Sequence, residues 1–246
     1  MEQQLLYAKV LDALRLSSTT GMFKAVGFLS PEQAYFVQNL PEIKKHKYTF
    51  FGGYEDAERV YFIALPDWID DPEQTGVVEA FTFTYRKCDK LSHRDFLGTL
   101  MSLGIARETV GDILCEDGRT VVFVSHSVSS YILGQIEKVG GVGVSVSAGF
   151  SSPLPSFDKL IEFKTTVASL RLDCVVSALL NTSREKAKEI ILDKRVSVDS
   201  VICEKTTFCP EQFARISVKG IGKFVLNGGS ELTKKGRIIL KYKKYV

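Results

Sequence analysis

The side chains best suited to chemistry in this chain are cations, and they gather between Ser169 and Lys223. Arg171 opens an apolar helix, Ser183, Arg184, Lys186 and Lys188 open a second, and Lys194 and Arg195 close it. Lys219 and Lys223 flank a Gly220-Ile221-Gly222 turn further on. Guanidinium and ammonium groups held on short helices neutralise phosphates and release their counterions, so affinity comes from charge and register from the rigid elements. These nine residues are the candidate RNA-binding set, with Lys186, Lys219 and Lys223 secondary. The bland alternative is a solvated helix face, where most charged runs belong.

Other groupings fail on spacing. His93 and Asp95 lie two apart on one helix and do not face each other. Cys88, Cys115, Cys174, Cys203 and Cys209 contain no CxxC pair, and His46, His93 and His126 all precede the cationic stretch, which argues against zinc and for reduced thiols. Gly140-Gly141-Val142-Gly143 follows a helix and leads into a strand, the reverse of the dinucleotide-binding order, and reads as a helix-to-strand turn. No catalytic residue, metal or cofactor is expected.

The cations need elements to hold them. Leu170, Leu172, Val175, Val176, Leu179 and Leu180 recur at helical period. Asn181-Thr182-Ser183 breaks that helix and supplies caps for the next, which turns Ala187, Ile190 and Ile191 inward. Val196–Val198, Asp199-Ser200 and Val201–Cys203 read as strand, tight turn, strand. The order Arg171-Leu172-Asp173, Ser183-Arg184, Ala187 and Lys194-Arg195-Val196 resembles the S4-type RNA-binding domain of ribosomal proteins and RNA-modifying enzymes. That family usually has Asn-Gly at the hairpin turn; this chain has Asp199-Ser200. Arg171-Leu172-Asp173 is also similar to the catalytic motif of pseudouridine synthases, where the Asp is the nucleophile. Here it begins the helix pair, and Asp173 reads as a first-turn helix charge.

A chain of 246 residues, 45% hydrophobic, is a globular protein of two or three domains. No apolar run reaches the ~18 residues of a membrane helix, and the N-terminus lacks a secretory core, so a cytoplasmic protein with no membrane contact is expected. The net charge of +3 conceals an asymmetry. Residues 164–246 hold 17 Lys+Arg and 8 Asp+Glu, giving +9, and residues 1–163 hold 15 and 21, giving −6. An acidic body with a basic C-terminal module concentrates nucleic-acid contact in one place.

In chain order, an amphipathic helix (3–16) ends at Ser17–Gly21, and Ser30-Pro31-Glu32-Gln33 opens a second with a capping box. Two strands, 48–51 and 60–65, complete a small α/β domain, 1–75, carrying a local basic spot at Lys44–Lys47. Residues 76–150 read as strand 77–86, a helix from Ser92 to Gly104, strands 111–115 and 120–125, a helix 128–139 and a strand 142–147. That β-α-β-β-α-β order is the ferredoxin-like arrangement of RNA-recognition (RRM-like) modules. Phe81, Phe83, Tyr85 and Phe123 on its strands would either stack bases or fill the core. A proline-stiffened linker, 151–163, leads to the S4-type module, 164–246, whose basic tail 234–244 reads as a final strand. The fold class is α+β.

Leu91-Ser92-His93-Arg94-Asp95-Phe96-Leu97-Gly98, Leu103-Gly104-Ile105, Gly111-Asp112-Ile113, Ser169–Asp173, Gly220–Phe224 and Thr233-Lys234-Lys235-Gly236-Arg237 together resemble the YlmH-type proteins of Gram-positive bacteria and cyanobacteria. The resemblance covers essentially the whole chain. It implies a non-enzymatic three-domain protein linked to ribosomes and encoded near cell-division genes. Ribosomal RNA or tRNA is then the partner, on the large subunit or on stalled complexes carrying peptidyl-tRNA, with no DNA and a monomeric state. The rivals are an RNA-modifying enzyme that docks through the module and a scaffold of the division machinery.

Overall fold

Ser30 and Gln33 cap each other as their spacing requires: Gln33 N donates to Ser30 Oγ (3.2 Å) and Ser30 N to Gln33 Oε1 (2.9 Å). This box opens α2 (Pro31–Gln38), which packs with α1 (Glu2–Thr20) on a sheet of β1 (Lys24–Leu29), β2 (Tyr48–Phe51) and β3 (Val60–Ala64), ordered β1-β3-β2. The computed structural model describes residues 2–155, 160–199, 201–227, 232–233 and 236–245. It forms two compact units, Met1–Phe157 and Asp158–Val246. Among the described residues, no helix is long and apolar enough to cross a membrane.

Two expectations for this region fall short. Helix α1 continues through Ser17–Thr20, because Thr19 and Thr20 return their hydroxyls to the Arg15 and Leu16 carbonyls and Ser17 Oγ reaches the Ala64 carbonyl. It stops before Gly21, whose φ is +65°. Strand β1 has no counterpart in the sequence reading; six residues between a helix and a cap carry too little pattern.

The rest of the first unit comprises β4 (Val78–Thr84), α3 (His93–Ser102), β5 (Val110–Glu116), β6 (Arg119–Ser125), α4 (His126–Gln135), the short pair β7 (Lys138–Val139) and β8 (Val142–Gly143), and β9 (Ser145–Ala148). Four strands form one antiparallel sheet ordered β5-β6-β4-β9. Helix α4 is shorter than its apolar pattern suggests. Gly140 and Gly141 (φ +53° and +86°) turn the β7–β8 hairpin instead of joining a helix to a strand.

Both faces of this sheet are buried. Phe81, Phe83, Val122 and Val124 pack beneath α3 and α4 with Phe96, Leu100 and Ile132. Leu114, Val121 and Phe123 pack the other way, against Phe28, Tyr61 and Ile63 of the β1-β3-β2 sheet. The approach is close enough to need glycine: a Cβ on Gly111 would lie 2.6 Å from the Phe28 ring. Asp112 next to it closes the polar part of the seam. Its carboxylate accepts from Tyr54 Oη (2.8 Å) and from the backbone N–H groups of Glu58 and Arg59 (2.7 and 3.2 Å). Burial pushes the Asp112 carboxyl up, against the lowering pull of these donors.

The second unit is a six-stranded antiparallel sheet with a helix pair on one face. Its elements are β10 (Leu160–Val167), α5 (Leu172–Leu179), α6 (Arg184–Leu192), β11 (Val196–Val198), β12 (Val201–Ile202), β13 (Arg215–Val218), β14 (Gly222–Leu226) and β15 (Ile238–Tyr245), ordered β10-β15-β14-β13-β11-β12. Strand β10 begins inside the stretch read as linker and pairs with β15 along its whole length. Val175, Val176, Ala187, Ile191, Val196, Ile216, Phe224 and Leu240 form the core between helices and sheet. Ser200, Lys234 and Lys235, named in the sequence reading, and residues 156–159 of the stretch read as linker lie outside the described residues.

Candidate nucleic-acid interface

Asp173 organises the cationic corner. It sits in the first turn of α5 with 0% of its surface exposed. Arg171, the N-cap residue of α5, reaches it through Nε and Nη2 (3.2 and 3.3 Å), and Arg184, the first residue of α6, through Nη2 (2.7 Å). Burial pushes the Asp173 carboxyl up, yet the hydrogen bonds from Arg171 and Arg184 outweigh it and hold the group well below the usual carboxylate range. Both guanidiniums keep an outer edge in solvent, their side chains being 40% and 49% exposed. A buried anion thus fixes two arginines at the surface.

The helix start beneath them is not itself an anion site. The N–H groups of Leu172 and Asp173 donate to the Phe208 and Thr206 carbonyls, so the loop before β13 uses them. Helix α6 is capped by Ser183, whose Oγ accepts from Lys186 N (3.2 Å). In this geometry Ser183 positions the helix, and its hydroxyl is already engaged.

Turned at 100° per residue, α6 puts Arg184 and Lys188 on one flank, beside the buried Ala187 and Ile191. Lys186 lies on the opposite flank, and Glu185 and Glu189 point away from the core between them. Lys194 and Arg195 close the helix in a Schellman motif: Lys194 N donates to the Ile191 carbonyl (3.1 Å) and Arg195 N to that of Ile190 (3.2 Å). Lys194 occupies the left-handed position of this motif at φ +59°, where glycine is usual. Its ammonium lies 3.3 Å from Glu204 Oε1. Arg195 Nη2 donates to the Lys219 carbonyl (3.0 Å) and Lys219 N to the Arg195 carbonyl (2.8 Å), which ties the helix end to the β13–β14 turn.

The structure therefore brings Arg171, Arg184 and Lys188 together, sets Lys194, Arg195 and Lys219 at the neighbouring helix end, and separates Lys223. In β14, Phe224 and Leu226 face the helices, so Lys223 faces the opposite side of the sheet. Sequence reasoning took Asp173 as a first-turn charge and missed its burial. The signal was present: a lone carboxylate inside Leu172-Asp173-Cys174-Val175-Val176 has nowhere to go but inward.

The four candidate stacking residues of the central sheet are also placed. Phe81, Phe83 and Phe123 are fully buried, and Tyr85 is half-buried with its hydroxyl donating to the Glu116 carbonyl. They are core.

Residues 78–150 match the family model described as "Putative RNA-binding domain in YlmH". Over 232 residues the chain is 28% identical to "Ribosome-associated protein quality control protein P2" of Bacillus subtilis (strain 168), spanning 93% of this chain and 90% of that protein. It also shares a fold with "Cell division protein ylmH from Streptococcus pneumoniae", at TM-score 0.52 and 17% identity over 61% of this chain and 92% of the other. None of these names denotes a reaction. Residues 78–150 thus resemble the RNA-binding domain of YlmH, and 93% of the chain is similar to a ribosome-associated quality control protein.

Proposed function

We propose that this protein is a non-enzymatic, ribosome-associated RNA-binding protein that grips the phosphate backbone of structured ribosomal RNA or tRNA through its second unit. The observation that carries the reading is the pair Arg171–Arg184, pre-set at the surface by a buried carboxylate. Guanidiniums already ordered lose little entropy on meeting phosphate, and their planar forks suit its oxygens. The relative's name supplies the ribosome, and the matched family model supplies RNA for residues 78–150 of the first unit; for the second unit the cationic corner carries the reading. Within this reading the second unit is an S4-type module, and residues 76–150 form an RRM-like domain packed on the first 75. The β5-β6-β4-β9 order favours that assignment. The protein acts as a monomer in the cytoplasm, on the large subunit or a stalled peptidyl-tRNA complex.

The test is co-sedimentation with ribosomal subunits at low and moderate salt. Arg184 is a poor choice for charge reversal, because a glutamate there would face buried Asp173 and unfold the corner. Lys188→Glu/Lys194→Glu changes exposed or half-exposed cations instead. Wild type is expected to travel with the large subunit and the variant to stay at the top. If about five phosphates are neutralised, log affinity for single-stranded RNA falls with log salt at a slope of roughly −0.7 per contact. A complex insensitive to salt, or a variant that sediments like wild type, overturns the reading.

A further inference from the structure

Three rings stand in a row across one edge of the six-stranded sheet, on the side that carries the helices. Phe224 on β14 meets Tyr242 on β15 edge to face, with 6.1 Å between centroids and 65° between planes. Tyr242 lies flat against Phe163 on β10, its direct partner in the ladder, at 5.4 Å and 16°. Burial falls along the row: Phe224 is fully buried, Tyr242 half-buried and Phe163 40% exposed. Strand β10 is the edge of the sheet, and among the described residues no strand pairs with its outer side. The helices cover the far end of this face, where Val167 and Leu240 join the core. At the near end Ile161, two residues from Phe163, is 46% exposed.

Sheet edges are usually blunted with charge, because exposed apolar side chains there invite other chains to pair. On its helix side this edge shows the reverse. Strand alternation puts one charged residue, Lys244, on that side of β10, β15, β14 and β13, and among the described residues no carboxylate shares it. The Lys244 ammonium lies 6.0 Å from the Phe224 ring centroid. An aliphatic side chain would suffice to cover Tyr242. A flat ring with one face covered and the other open, beside a cation and away from acids, suits a π-system that carries negative charge. A nucleotide is such a ligand, since every base has a π-face and brings a phosphate. A second copy docked through this face would add a cation and no anion. Arg171 follows Phe163 by eight residues, which places it at most about 29 Å away even along an extended chain. An RNA segment gripped at the Arg171–Arg184 corner therefore passes within reach.

We infer that Phe163 is a base-stacking platform, on which an unpaired nucleobase continues the row Phe224–Tyr242–Phe163. The inference rests on the reading of the second unit as an RNA-binding module and deepens it. The cationic corner holds the backbone, and the ring adds a preference for RNA that offers an unstacked base beside its paired region.

The experiment uses the full chain and two RNAs, a blunt duplex and the same duplex with a single-stranded overhang containing 2-aminopurine. Affinity, its salt slope, 2-aminopurine fluorescence and thermal unfolding are measured for wild type, Phe163→Leu, Phe163→Tyr and Lys188→Glu/Lys194→Glu. Wild type is expected to prefer the overhang RNA and to quench its fluorescence. Phe163→Leu is expected to bind that RNA at least about fivefold more weakly, with quenching lost. Its salt slope should stay as in wild type, since no cation is removed. Phe163→Tyr restores both affinity and quenching. Equal losses on the two RNAs with earlier unfolding make Phe163 a packing residue and refute the platform. If Phe163→Leu keeps wild-type affinity and quenching while Lys188→Glu/Lys194→Glu loses binding, the platform is refuted and the proposed function stands. Failure of wild type to bind either RNA overturns both. A wild-type dimer that Phe163→Leu dissociates with quenching intact reassigns the edge to self-association and also refutes the proposal.

Discussion

The four-stranded sheet of residues 78–148 and the six-stranded sheet of residues 160–245 each carry two helices on one face, but their second faces are opposites. The first buries Leu114, Val121 and Phe123 beneath another sheet. The second presents Lys164, Lys241, Lys243, Lys223 and Arg215. The order β5-β6-β4-β9 is compatible with RNA recognition on its open face, yet in this molecule that face is closed. Strand order therefore does not decide where RNA can land; the partner of the second face does. If residues 78–150 touch RNA, they do so from loops or helices, without bases stacked on Phe81, Phe83 or Phe123.

The largest effect that would break this contrast is at Phe123. Phe123→Ala empties the seam between the two sheets and is expected to cost about 3–5 kcal/mol in denaturant unfolding of the first unit. RNA affinity of the folded fraction should not change. A stable variant with raised RNA affinity would mean that the seam opens and the sheet face is available after all.

Asp173 sharpens the other side. Asp173→Asn keeps the shape but removes the charge that gathers two guanidiniums, and about 1–3 kcal/mol of stability should go with it. The sign with pH follows from the direction of its shift. The folded carboxyl titrates below its unfolded value, so its contribution is present above the unfolded pKa of about 3.9 and fades as pH falls below that. Wild type should lose stability through this group on acidification, and the Asn variant should lack that part of the loss. Parallel acid limbs in the two proteins would show that the ion pairs do not order the corner.

The smallest effect separates stability from binding at a single residue. Lys194 holds a left-handed conformation that glycine adopts without strain. Lys194→Gly should raise stability by up to about 1 kcal/mol and weaken RNA binding by a modest factor. A gain in both would remove Lys194 from the interface.

Much of this architecture could be seen in the residues alone. Ser92 with Asp95 predicts the start of α3, and both Ser92 N and Oγ donate to Asp95 Oδ2. The apolar periods of α5 and α6 and the alternation in Ile238–Tyr245 also fold as their patterns require. What escaped depends on distant partners. Strand β10 is recognisable only from β15, some seventy residues on, and β1 only from β3. Whether Phe123 fills a core or faces a ligand depends on a sheet formed by residues 24–64, which no local pattern around Phe123 records. The candidate cations are exposed or half-exposed groups, and their division between two faces follows from the phase of β14 and β15. One residue of slip would have reversed it.

The Arg171–Asp173–Arg184 cluster also constrains how this sequence can drift. Losing either arginine leaves a buried carboxylate short of a partner, and losing the aspartate leaves two cations crowded at one helix junction. Each single change is penalised in the background of the other two, so the three positions are expected to be kept or exchanged as a set. Homologues that replace Asp173 by a neutral residue should then also lack one of the arginines, a covariation that comparison of divergent sequences can reveal without any binding measurement.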